Sequence, residues 1–341
     1  MARVDLTVRG AGIFGLSVAW EAARRGARVR VIEAARIGAG ASGGVVGALS
    51  PHVPENWNAK KAFQLDSLLM ASGWWAAVEA ASGLASGYAR VGRLQPLADA
   101  AAVDLARARG AAAEELWRGQ AVWRVVQAAG GAWEPTSASG WLVEDSLSAR
   151  LHPRLACAAL VAAIERAGGE VVLGEADEIG PVVWATGAAG LAALGADLGR
   201  DMGGGEKGQA ILLRHAAPGL PQLLAGGLHV VPHVDGTVAI GSTSERDYRD
   251  LAVDHRVDDL HARAVAALPV LAGAAVVERW AGLRPRSTSR APVLGGWPGR
   301  AGHFVANGGF KIGFGMAPKV AEVMVDLVLQ GRDAIPEGFR V

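Results

Sequence analysis

The sequence has a single cysteine, and it lacks long apolar runs and an excess of charge of either sign. Cys157 is the one cysteine among 341 residues, so no disulfide can form within the chain. It lies in an apolar stretch at residues 155–160, which predicts an inert thiol inside a helix. No apolar run reaches the roughly 18 residues of a membrane span. The sequence also begins almost at once with a strand pattern, which leaves no room for a signal peptide, so we expect a cytoplasmic protein.

The charge distribution points away from a nucleic-acid partner. The 34 basic and 33 acidic side chains nearly cancel, leave a formal net charge of +1 and are mixed along the chain. A nucleic-acid-binding domain usually concentrates lysine and arginine in a tract or on one face, and the sequence has no such tract. We therefore expect a small-molecule substrate, and the oligomeric state stays open.

The most informative feature that is present is the pattern Gly10-x-Gly12-x-x-Gly15, between a strand pattern at residues 4–8 and a helix of small residues. The first glycine permits a tight turn, the second lets the backbone approach a pyrophosphate, and the third lets helix and strand pack closely. The N–H groups that open the helix, at Ile13 and Phe14, favour phosphate. The pattern predicts a bound dinucleotide.

An acidic residue at the end of the second predicted strand supports this prediction. Glu33 follows Gly15 by 18 residues, close to the roughly 20 at which an acid binds the ribose hydroxyls of such a cofactor. A carboxylate there repels a 2′-phosphate, so NADP is disfavoured.

A run of small residues follows and bears on which dinucleotide binds. Residues 36–44 read Arg-Ile-Gly-Ala-Gly-Ala-Ser-Gly-Gly, and Gly47-Ala48-Leu49 comes soon after. Such a flexible run lets the chain pass close to the second half of a long cofactor. NAD-dependent enzymes usually continue into another helix here. The run favours FAD, and an NAD-dependent dehydrogenase is the alternative.

These elements resemble the FAD-binding segments of the D-amino acid oxidase family, which includes glycine oxidase and sarcosine oxidase. The resemblance rests on the opening glycines, the Ala41-Ser42-Gly43 run and the segment Val-Val-Trp-Ala-Thr-Gly at residues 182–187. In that family the strand ending in Ala-Thr-Gly passes beside the dinucleotide. Some members attach flavin through a cysteine near the C-terminal end. No cysteine is present there, so the resemblance implies non-covalent FAD.

A second segment that resembles the family carries the predicted substrate anchor. Gly282-Leu283-Arg284-Pro285-Arg286 is similar to the motif in which D-amino acid and glycine oxidases hold the substrate carboxylate. An arginine fork matches a carboxylate bidentately, which supports that role for Arg284. A surface ion pair is the alternative, and Arg286 is the weaker candidate, expected to serve the structure.

A glycine-rich turn at residues 307–313 precedes the last predicted helix. Its N–H groups and the helix N-terminus are expected to face flavin N1 and C2=O, where reduction places negative charge. Gly309-Phe310-Lys311 resembles the sarcosine oxidase turn, whose lysine helps to bind carboxylate, so Lys311 is a candidate second cation or else a plain surface lysine. The residues expected to contact FAD are Gly10, Gly12, Ile13, Phe14, Gly15, Glu33, Ala34, Arg36, Ala41, Ser42, Gly43, Gly47, Ala48, Leu49, Ala185, Thr186, Gly187, Gly308, Gly309, Phe310, Lys311 and Ile312.

Three histidines are further candidates. His52 follows the segment expected to run along the flavin and is predicted to line the pocket; a loop histidine without a role is the alternative. His229 lies near the position where glycine oxidases have a carboxylate-binding tyrosine, so it departs from that pattern. His229 and His233 share one side of a predicted strand, but no third ligand is evident and we expect no metal site.

The order of predicted elements indicates an α/β fold (α+β overall), in which a Rossmann-like FAD-binding domain is interleaved with a mainly antiparallel β-sheet substrate domain. We expect the FAD-binding domain at residues 1–80, 148–200 and 287–341, and the substrate-binding domain at 81–147 and 201–286. Helices are predicted at 59–82, 98–127, 153–167, 246–268 and 316–329, and a hairpin turns at Asp235-Gly236.

The sequence thus predicts an FAD-dependent oxidoreductase that converts an amino acid or N-methyl amino acid to an imine, by hydride transfer from the α-carbon to flavin N5. Reoxidation by O2 gives H2O2, whereas another acceptor makes the protein a dehydrogenase. A tRNA-modifying flavoprotein of the same fold and a flavin-binding protein without turnover are further alternatives. Because the Arg284 and Lys311 segments combine the patterns of two family branches, the substrate stays open.

Overall fold

Two large sheets organise the chain in the computed structural model, which describes residues 4–341. Residues 1–3 of the expected FAD-binding domain lie outside this range. The strands are β1 (Leu6–Arg9), β2 (Val29–Glu33), β3 (Ala48–Leu49), β4 (Arg93–Pro96), β5 (Trp123–Gln127), β6 (Trp141–Asp145), β7 (Ala149–Arg150), β8 (Glu170–Leu173), β9 (Val182–Trp184), β10 (Gly203–Arg214), β11 (Gln222–Ala225), β12 (Leu228–Pro232), β13 (Thr237–Gly241), β14 (Val276–Ser287), β15 (Val293–Gly296) and β16 (His303–Asn307). The helices are α1 (Ile13–Arg24), α2 (Ala59–Ser82), α3 (Ala100–Leu116), α4 (Pro153–Arg166), α5 (Gly187–Leu198), α6 (Arg256–Ala267) and α7 (Gly313–Gln330).

The first sheet has six strands in the order β15-β16-β9-β1-β2-β8. All neighbours in it are parallel except β15, which runs antiparallel to β16 at the edge. The chain passes from β1 to β2 on one side, whereas β9 adds on the other side of β1. The carboxyl ends of β1 and β9 therefore border the kind of crevice in which open α/β sheets bind ligands.

The second sheet has eight strands in the order β14-β10-β13-β12-β11-β4-β6-β5. Its pairs are antiparallel except for β11 with β4. Successive side chains of β10 point to opposite faces, as strand geometry requires. Ile211 and Leu213 pack with Leu260 of α6 on one face, whereas Ala210 and Leu212 pack with Val45 on the other. That second face is turned toward the segment that enters β3.

Local sequence explains where several helices begin and end. Asn58 caps α2 by accepting a hydrogen bond from the Lys61 N–H (3.1 Å), and Pro153 occupies the first turn of α4. Gly83 and Gly331 end α2 and α7 in the left-handed conformation. Helices α1, α2, α4 and α7 pack around one apolar core that flanks the six-stranded sheet. The bounds of α2 confirm the helix predicted at residues 59–82.

Two predicted helices are shorter in the structure. The helix predicted at 98–127 ends at Leu116, and residues 123–127 form β5, which pairs with β6. Burial of the Trp123 side chain against α3 outweighs the alanine-rich helical pattern before it. The helix predicted at 246–268 begins only at Arg256, because Asp250 and Asp254 side chains accept hydrogen bonds from local backbone N–H groups.

The fold class predicted from the sequence is confirmed by this mixture of a Rossmann-like parallel sheet and a mainly antiparallel sheet. Among residues 4–341, no helix combines the length and the apolar character that crossing a membrane requires.

Candidate active site

Three helices begin side by side at the carboxyl edge of the six-stranded sheet. α1, α5 and α7 follow β1, β9 and β16, which are neighbours in that sheet. In none of the three does the side chain of the N-cap residue accept a hydrogen bond, and none has an acidic residue in its first turn. In contrast, side chains cap α2, α3 and α4. The uncapped N–H groups and positive helix ends suit an anionic ligand that spans this edge.

The glycine turn before α1 leaves no room for side chains. A Cβ on Gly15 would lie 1.9 Å from the Gly10 carbonyl oxygen. Gly10 has φ +100°, and its Cβ would lie 2.5 Å from the carbonyl oxygen of Ala185. The Ala185 N–H in turn donates to the Arg9 carbonyl (2.8 Å). The Ala-Thr-Gly segment thus packs directly on the glycine turn.

Two polar side chains bind the backbone around this turn. Glu33 accepts hydrogen bonds from the N–H groups of Ala11 (2.8 Å) and Ala35 (3.0 Å). Ser42 Oγ accepts one from the Ile13 N–H (2.9 Å). Ala34 and Arg36 lie exposed beside Glu33. Glu33 and Ser42 therefore both bind the backbone at the start of α1. Ser42 comes from about 30 residues further along the chain than the glycine turn.

The lone cysteine lies beneath the same loop. Cys157 Sγ is 3.9 Å from the Ser42 carbonyl oxygen. Burial raises the pKa of this thiol to about 12, so it stays protonated at neutral pH. This agrees with the prediction of an inert core thiol.

The segment from Gly43 to Leu49 runs between the two sheets. A Cβ on Gly47 would lie 1.9 Å from the Leu151 carbonyl oxygen, and Ala48 and Leu49 pair with β7. A Cβ on Gly44 would lie 3.3 Å from the Trp280 ring of β14, so this ring packs closely over the glycine. The expected flavin-contacting segment is therefore enclosed by backbone on one side and by β14 on the other.

The turn at residues 308–312 joins both sheets. The Asn307 amide donates to the Gly187 carbonyl (2.9 Å), which ties the end of β16 to the start of α5. The Phe310 N–H donates to the Pro285 carbonyl of β14 (3.1 Å). Gly308, Gly309, Phe310, Lys311 and Ile312 thus stand between the Arg284 strand and the N-terminus of α7.

Arg284 is buried on β14, directly opposite Glu206 of β10. Its Nη1 donates to Ser242 Oγ (2.6 Å), and its Nη2 donates to the carbonyl oxygens of Thr243 (2.5 Å) and Lys207 (3.2 Å). Its Nε has no partner among the described residues although it is buried. The guanidinium is held rigidly, and its remaining donors are Nε–H and one Nη1–H.

Gly208 makes room for this guanidinium, since a Cβ at that position would lie 2.5 Å from Arg284 Nη2. We expect Gly208→Ala to displace Arg284 and to raise KM for an amino acid substrate roughly tenfold, equivalent to about 1.4 kcal/mol. Steady-state kinetics measure this. Gly296→Ala is the matched control, because its Cβ would meet no atom within 4 Å. Equal KM values for both variants would contradict the role of Gly208.

Lys311 shares a partner with Arg284. Its Nζ donates to Ser244 Oγ (2.5 Å), and Arg284 Nη2 lies 3.5 Å from the same oxygen. Burial, helped by the charge of Arg284, lowers the pKa of Lys311. The structure thus brings these two predicted cations to one short segment, Ser242-Thr243-Ser244.

A buried polar cluster behind β10 holds that segment. Gln209 N donates to Thr243 Oγ1 (2.8 Å), and Gln209 Nε2 donates to Glu245 (3.0 Å) and Asp254 (2.9 Å). Lys207 lies 3.8 Å from Glu245, which also pairs with Arg256. In this cluster two cations face two carboxylates, so its charge is balanced within itself.

The histidines occupy different places. Burial lowers the pKa of His229 to about 4, and the nearby positive charges of Arg93 and Lys311 add to the effect. His229 is therefore neutral at pH 7. His52 Nδ1 pairs with Gln64 Oε1 of α2 (2.5 Å). None of the contacts of His52 in the described part of the chain joins it to Arg284 or Lys311.

His233 directly follows β12 and lies beside a second histidine. Its ring centroid is 4.6 Å from that of His152, and its Nδ1 is 3.2 Å from Thr237 Oγ1. Burial lowers the pKa of His233 to about 3, and the charges of His152 and Arg150 lower it further while Asp235 opposes them. Within residues 4–341 no cluster of three metal-binding side chains is found, which leaves His229 and His233 without a third ligand.

This burial predicts a loss of stability in acid. The unfolded state binds a proton at His233 below pH 6.5 and the folded state does not until about pH 3, so the stabilisation present above pH 6.5 is lost as the pH falls through that window. For His233 alone we expect about 2 kcal/mol of lost unfolding free energy between pH 6.5 and 5. Urea unfolding at pH 7.5 and pH 5, compared between wild type and His233→Gln, measures the difference. An identical pH dependence in both proteins would contradict it.

The sequence reasoning missed Ser242, Ser244, Glu206 and Gly208. The register of β10 against β14 places Glu206 and Gly208 beside Arg284, whereas Ser242 and Ser244 reach Arg284 and Lys311 from the loop that follows β13. A serine-rich stretch after a hairpin strand was the one available signal, and it is typical of many loops.

Comparison with known proteins decides the family. The sequence matches the DAO family of FAD-dependent oxidoreductases over residues 5–327. The chain belongs to this family. Family membership confirms that FAD is the cofactor and that the protein is an oxidoreductase, and the uncapped helix ends and closed glycine turn described above fit that cofactor.

Several members of the DAO family are similar in sequence or structure. Glycine oxidase of Pseudomonas putida is 39% identical over 124 residues, which are 36% of this chain and 34% of that enzyme, so this match spans about a third of its length. Glycine oxidase of Geobacillus kaustophilus is 27% identical over 96% of this chain and 93% of its own length. Its crystal structure superposes with a TM-score of 0.83 at 24% identity, covering 98% of this chain and 97% of that one. An iminodiacetate oxidase from Chelativorans sp. also gives 0.83, at 23% identity, over 98% of both chains.

Proposed function

We propose that this protein oxidises an amino acid or N-methyl amino acid to an imine, with non-covalently bound FAD along the carboxyl edge of the six-stranded sheet. The observation that carries this proposal is the meeting of Arg284 and Lys311 at Ser244, beside the turn that opens α7. Two cations held next to an uncapped helix end suit a carboxylate and an electron-rich ring together. Relatives named glycine oxidase support an amino acid as substrate.

The cofactor contacts follow from the three helix ends. The pyrophosphate would lie at the Phe14 and Gly15 N–H groups, and Glu33 would exchange its backbone partners for ribose hydroxyls. The segment Gly43–Leu49 and the turn at residues 308–312 would border the flavin. When bound, FAD accepts a hydride from the substrate α-carbon and carries the two electrons.

The protein groups would orient the substrate. Arg284 Nε–H, the donor left without a partner, and the Lys311 ammonium would hold the α-carboxylate. The cluster around Gln209 keeps Ser242 and Thr243 in place, so Arg284 meets the substrate already oriented. Because burial lowers the pKa of His229 to about 4, this imidazole is too weak a base to take the proton of an ammonium group, so the substrate amine would lose that proton to water before oxidation.

We also propose that the two sheets mark two interleaved domains. Strands of the six-stranded sheet come from residues 6–33, 170–184 and 293–307, and strands of the eight-stranded sheet come from 93–145 and 203–287. This division supports the boundaries expected from the sequence, with FAD in the first domain and substrate contacts mainly from the second.

Anaerobic mixing of the FAD-loaded protein with glycine, sarcosine, proline or D-alanine tests the function. We expect at least one of them to bleach the visible flavin absorbance. Hydrolysis of the imine then releases an oxo acid with ammonia from glycine or D-alanine and with methylamine from sarcosine, whereas proline gives a cyclic imine that releases no amine. If no amine or amino acid bleaches the flavin, the proposal is wrong. Admitting air then separates the acceptors: stoichiometric H2O2 indicates an oxidase, and reoxidation only by an added dye indicates a dehydrogenase.

A further inference from the structure

A second arginine of β14 stands near the proposed carboxylate site with its donors free. Arg286 follows Arg284 by two residues and therefore points to the same face of the sheet. Its guanidinium carbon lies 6.0 Å from the Phe310 ring centroid, and its side chain is only 24% exposed. Among residues 4–341 the guanidinium makes one ion pair, at 3.6 Å with Glu206, and no hydrogen bond. A partly buried guanidinium that donates no hydrogen bond to another described residue is suited to receive an acceptor from outside the chain.

Arg284 differs sharply from Arg286 in this respect. Its two terminal nitrogens already donate to Ser242 and to carbonyl oxygens, as described above. Arg284 and Lys311 together offer enough donors for one carboxylate. The N–H donors of Arg286 are therefore not needed to bind a single carboxylate and are available for a second anion.

The charges around Phe310 lead to the same conclusion. Arg284 (5.7 Å), Arg286 (6.0 Å) and Lys311 (5.4 Å) all lie close to this ring, measured from the charged group to the ring centroid. Glu206 is the carboxylate that faces them, 4.0 Å from Arg284 and 3.6 Å from Arg286. One acid compensates one of three cations. The neighbouring cluster of Lys207, Arg256, Glu245 and Asp254 has no net charge, and from it Glu245 adds a weaker attraction on Arg284.

Two positive charges thus stay without a counter-charge, that of Arg286, whose side chain is 24% exposed, and that of Lys311, which lies exposed at the edge of the site. A substrate with one carboxylate would compensate one of them. Arg246 also lies 3.9 Å from Glu206, but it is 68% exposed, so water screens its charge. The remaining cation is Arg286, whose fork is geometrically suited to a second planar anion.

We infer that the site takes an amine that carries two carboxylates, one held by Arg284 and Lys311 and the other by Arg286. This inference rests on the proposed function, because it assumes that the same site oxidises an amino acid. The second carboxylate belongs either to the amino acid side chain or to a substituent on the nitrogen.

Substrate pairs that differ only in the second carboxylate test this inference on the FAD-loaded protein. The pairs are sarcosine with N-(carboxymethyl)glycine, and alanine with aspartate, the latter in both enantiomers. We expect the dicarboxylate of at least one pair to have a kcat/KM roughly 10- to 100-fold higher, as a charge-assisted bidentate contact provides. The two pairs separate a nitrogen substituent from a side chain as the source of the second carboxylate.

Variants of Arg286 then assign the preference to this residue. Arg286→Gln should reduce the ratio of the two kcat/KM values to about 1, mainly through KM for the dicarboxylate, and Arg286→Lys should retain part of the ratio. Arg279→Gln is the matched control, since Arg279 lies on the same strand with 45% of its side chain exposed, and it should leave the ratio unchanged.

Binding of unreactive acids gives a readout that does not depend on turnover. Succinate should perturb the flavin absorbance at a Kd roughly 10-fold or more below that of acetate, and Arg286→Gln should remove the difference. Flavin reduction with equal kcat/KM within both pairs would overturn the inference and leave the proposed function intact. Flavin that no amine reduces would instead defeat the proposed function itself.

Discussion

Gly15→Ala is expected to abolish tight FAD binding. The added Cβ would lie 1.9 Å from the Gly10 carbonyl oxygen, far inside van der Waals contact. Because the Gly10 oxygen belongs to the backbone and the Cβ is fixed to the backbone of α1, α1 has to move away from the turn, and its N–H groups move with it. We expect the FAD Kd to rise at least about 100-fold, equivalent to roughly 2.7 kcal/mol. Fluorescence titration of the apoprotein with FAD measures this.

Gly12→Ala separates a blocked cofactor from a damaged fold. A Cβ at Gly12 would meet only Ser42 Oγ, at 3.3 Å, so the apoprotein should keep its circular dichroism spectrum. FAD affinity should still fall strongly, because the backbone at this position is where the pyrophosphate approaches. Gly73→Ala is the control: it lies on α2 with no atom within 4 Å, and alanine there should stabilise the helix by about 0.5–1 kcal/mol with FAD retained. Unchanged FAD affinity in Gly12→Ala would show that the pyrophosphate lies elsewhere.

Arg284→Met is expected to lower kcat/KM for amino acids by roughly 100- to 1000-fold. The substitution removes a buried cation that would form charge-assisted hydrogen bonds to the substrate carboxylate, each worth about 1.5–3 kcal/mol. It also releases Ser242 and Thr243, which Arg284 holds. FAD should remain bound, since Arg284 lies on the eight-stranded sheet and not at the glycine turn.

Companion variants make this result specific. Arg284→Lys keeps the charge but reaches Ser242 and Thr243 with a single nitrogen, so we expect activity between that of wild type and Arg284→Met. Arg279→Met, on the exposed side of the same strand, should retain full activity. If KM and kcat/KM of Arg284→Met equal those of Arg279→Met, Arg284 is not the anchor.

The glycine turn illustrates how much short-range pattern can predict. Gly10, Gly12, Gly15 and Glu33 lie on one βαβ unit, in which each spacing follows from the geometry of the turn and the strand pair. The tertiary structure adds why Gly10 must be a glycine: a Cβ there would lie 2.5 Å from the carbonyl oxygen of Ala185, which is distant in sequence. The identification of FAD succeeded because local geometry and family resemblance agreed.

The shortened helices show where such patterns fail. Residues 117–127 follow a long alanine-rich helix and carry little periodicity that would separate strand from helix. Burial of Trp123 and pairing of β5 with β6 decided the outcome, and both depend on residues distant in sequence. At residues 246–255, aspartate side chains bind the backbone in place of helical hydrogen bonds.

The sequence by itself determined the cofactor half of this protein, because the turn, the helix that follows and the acid at the second strand are local features with fixed spacing. Only the tertiary structure decided what surrounds Arg284, Arg286 and Lys311, the residues of the proposed substrate half. Glu206 and Gly208 meet Arg284 through strand register, and Ser244 meets Lys311 through a loop. Arg286 pairs with Glu206 at 3.6 Å but donates no hydrogen bond to another described residue. Such contacts join positions up to about 80 residues apart in the sequence, so composition and spacing carry no record of them.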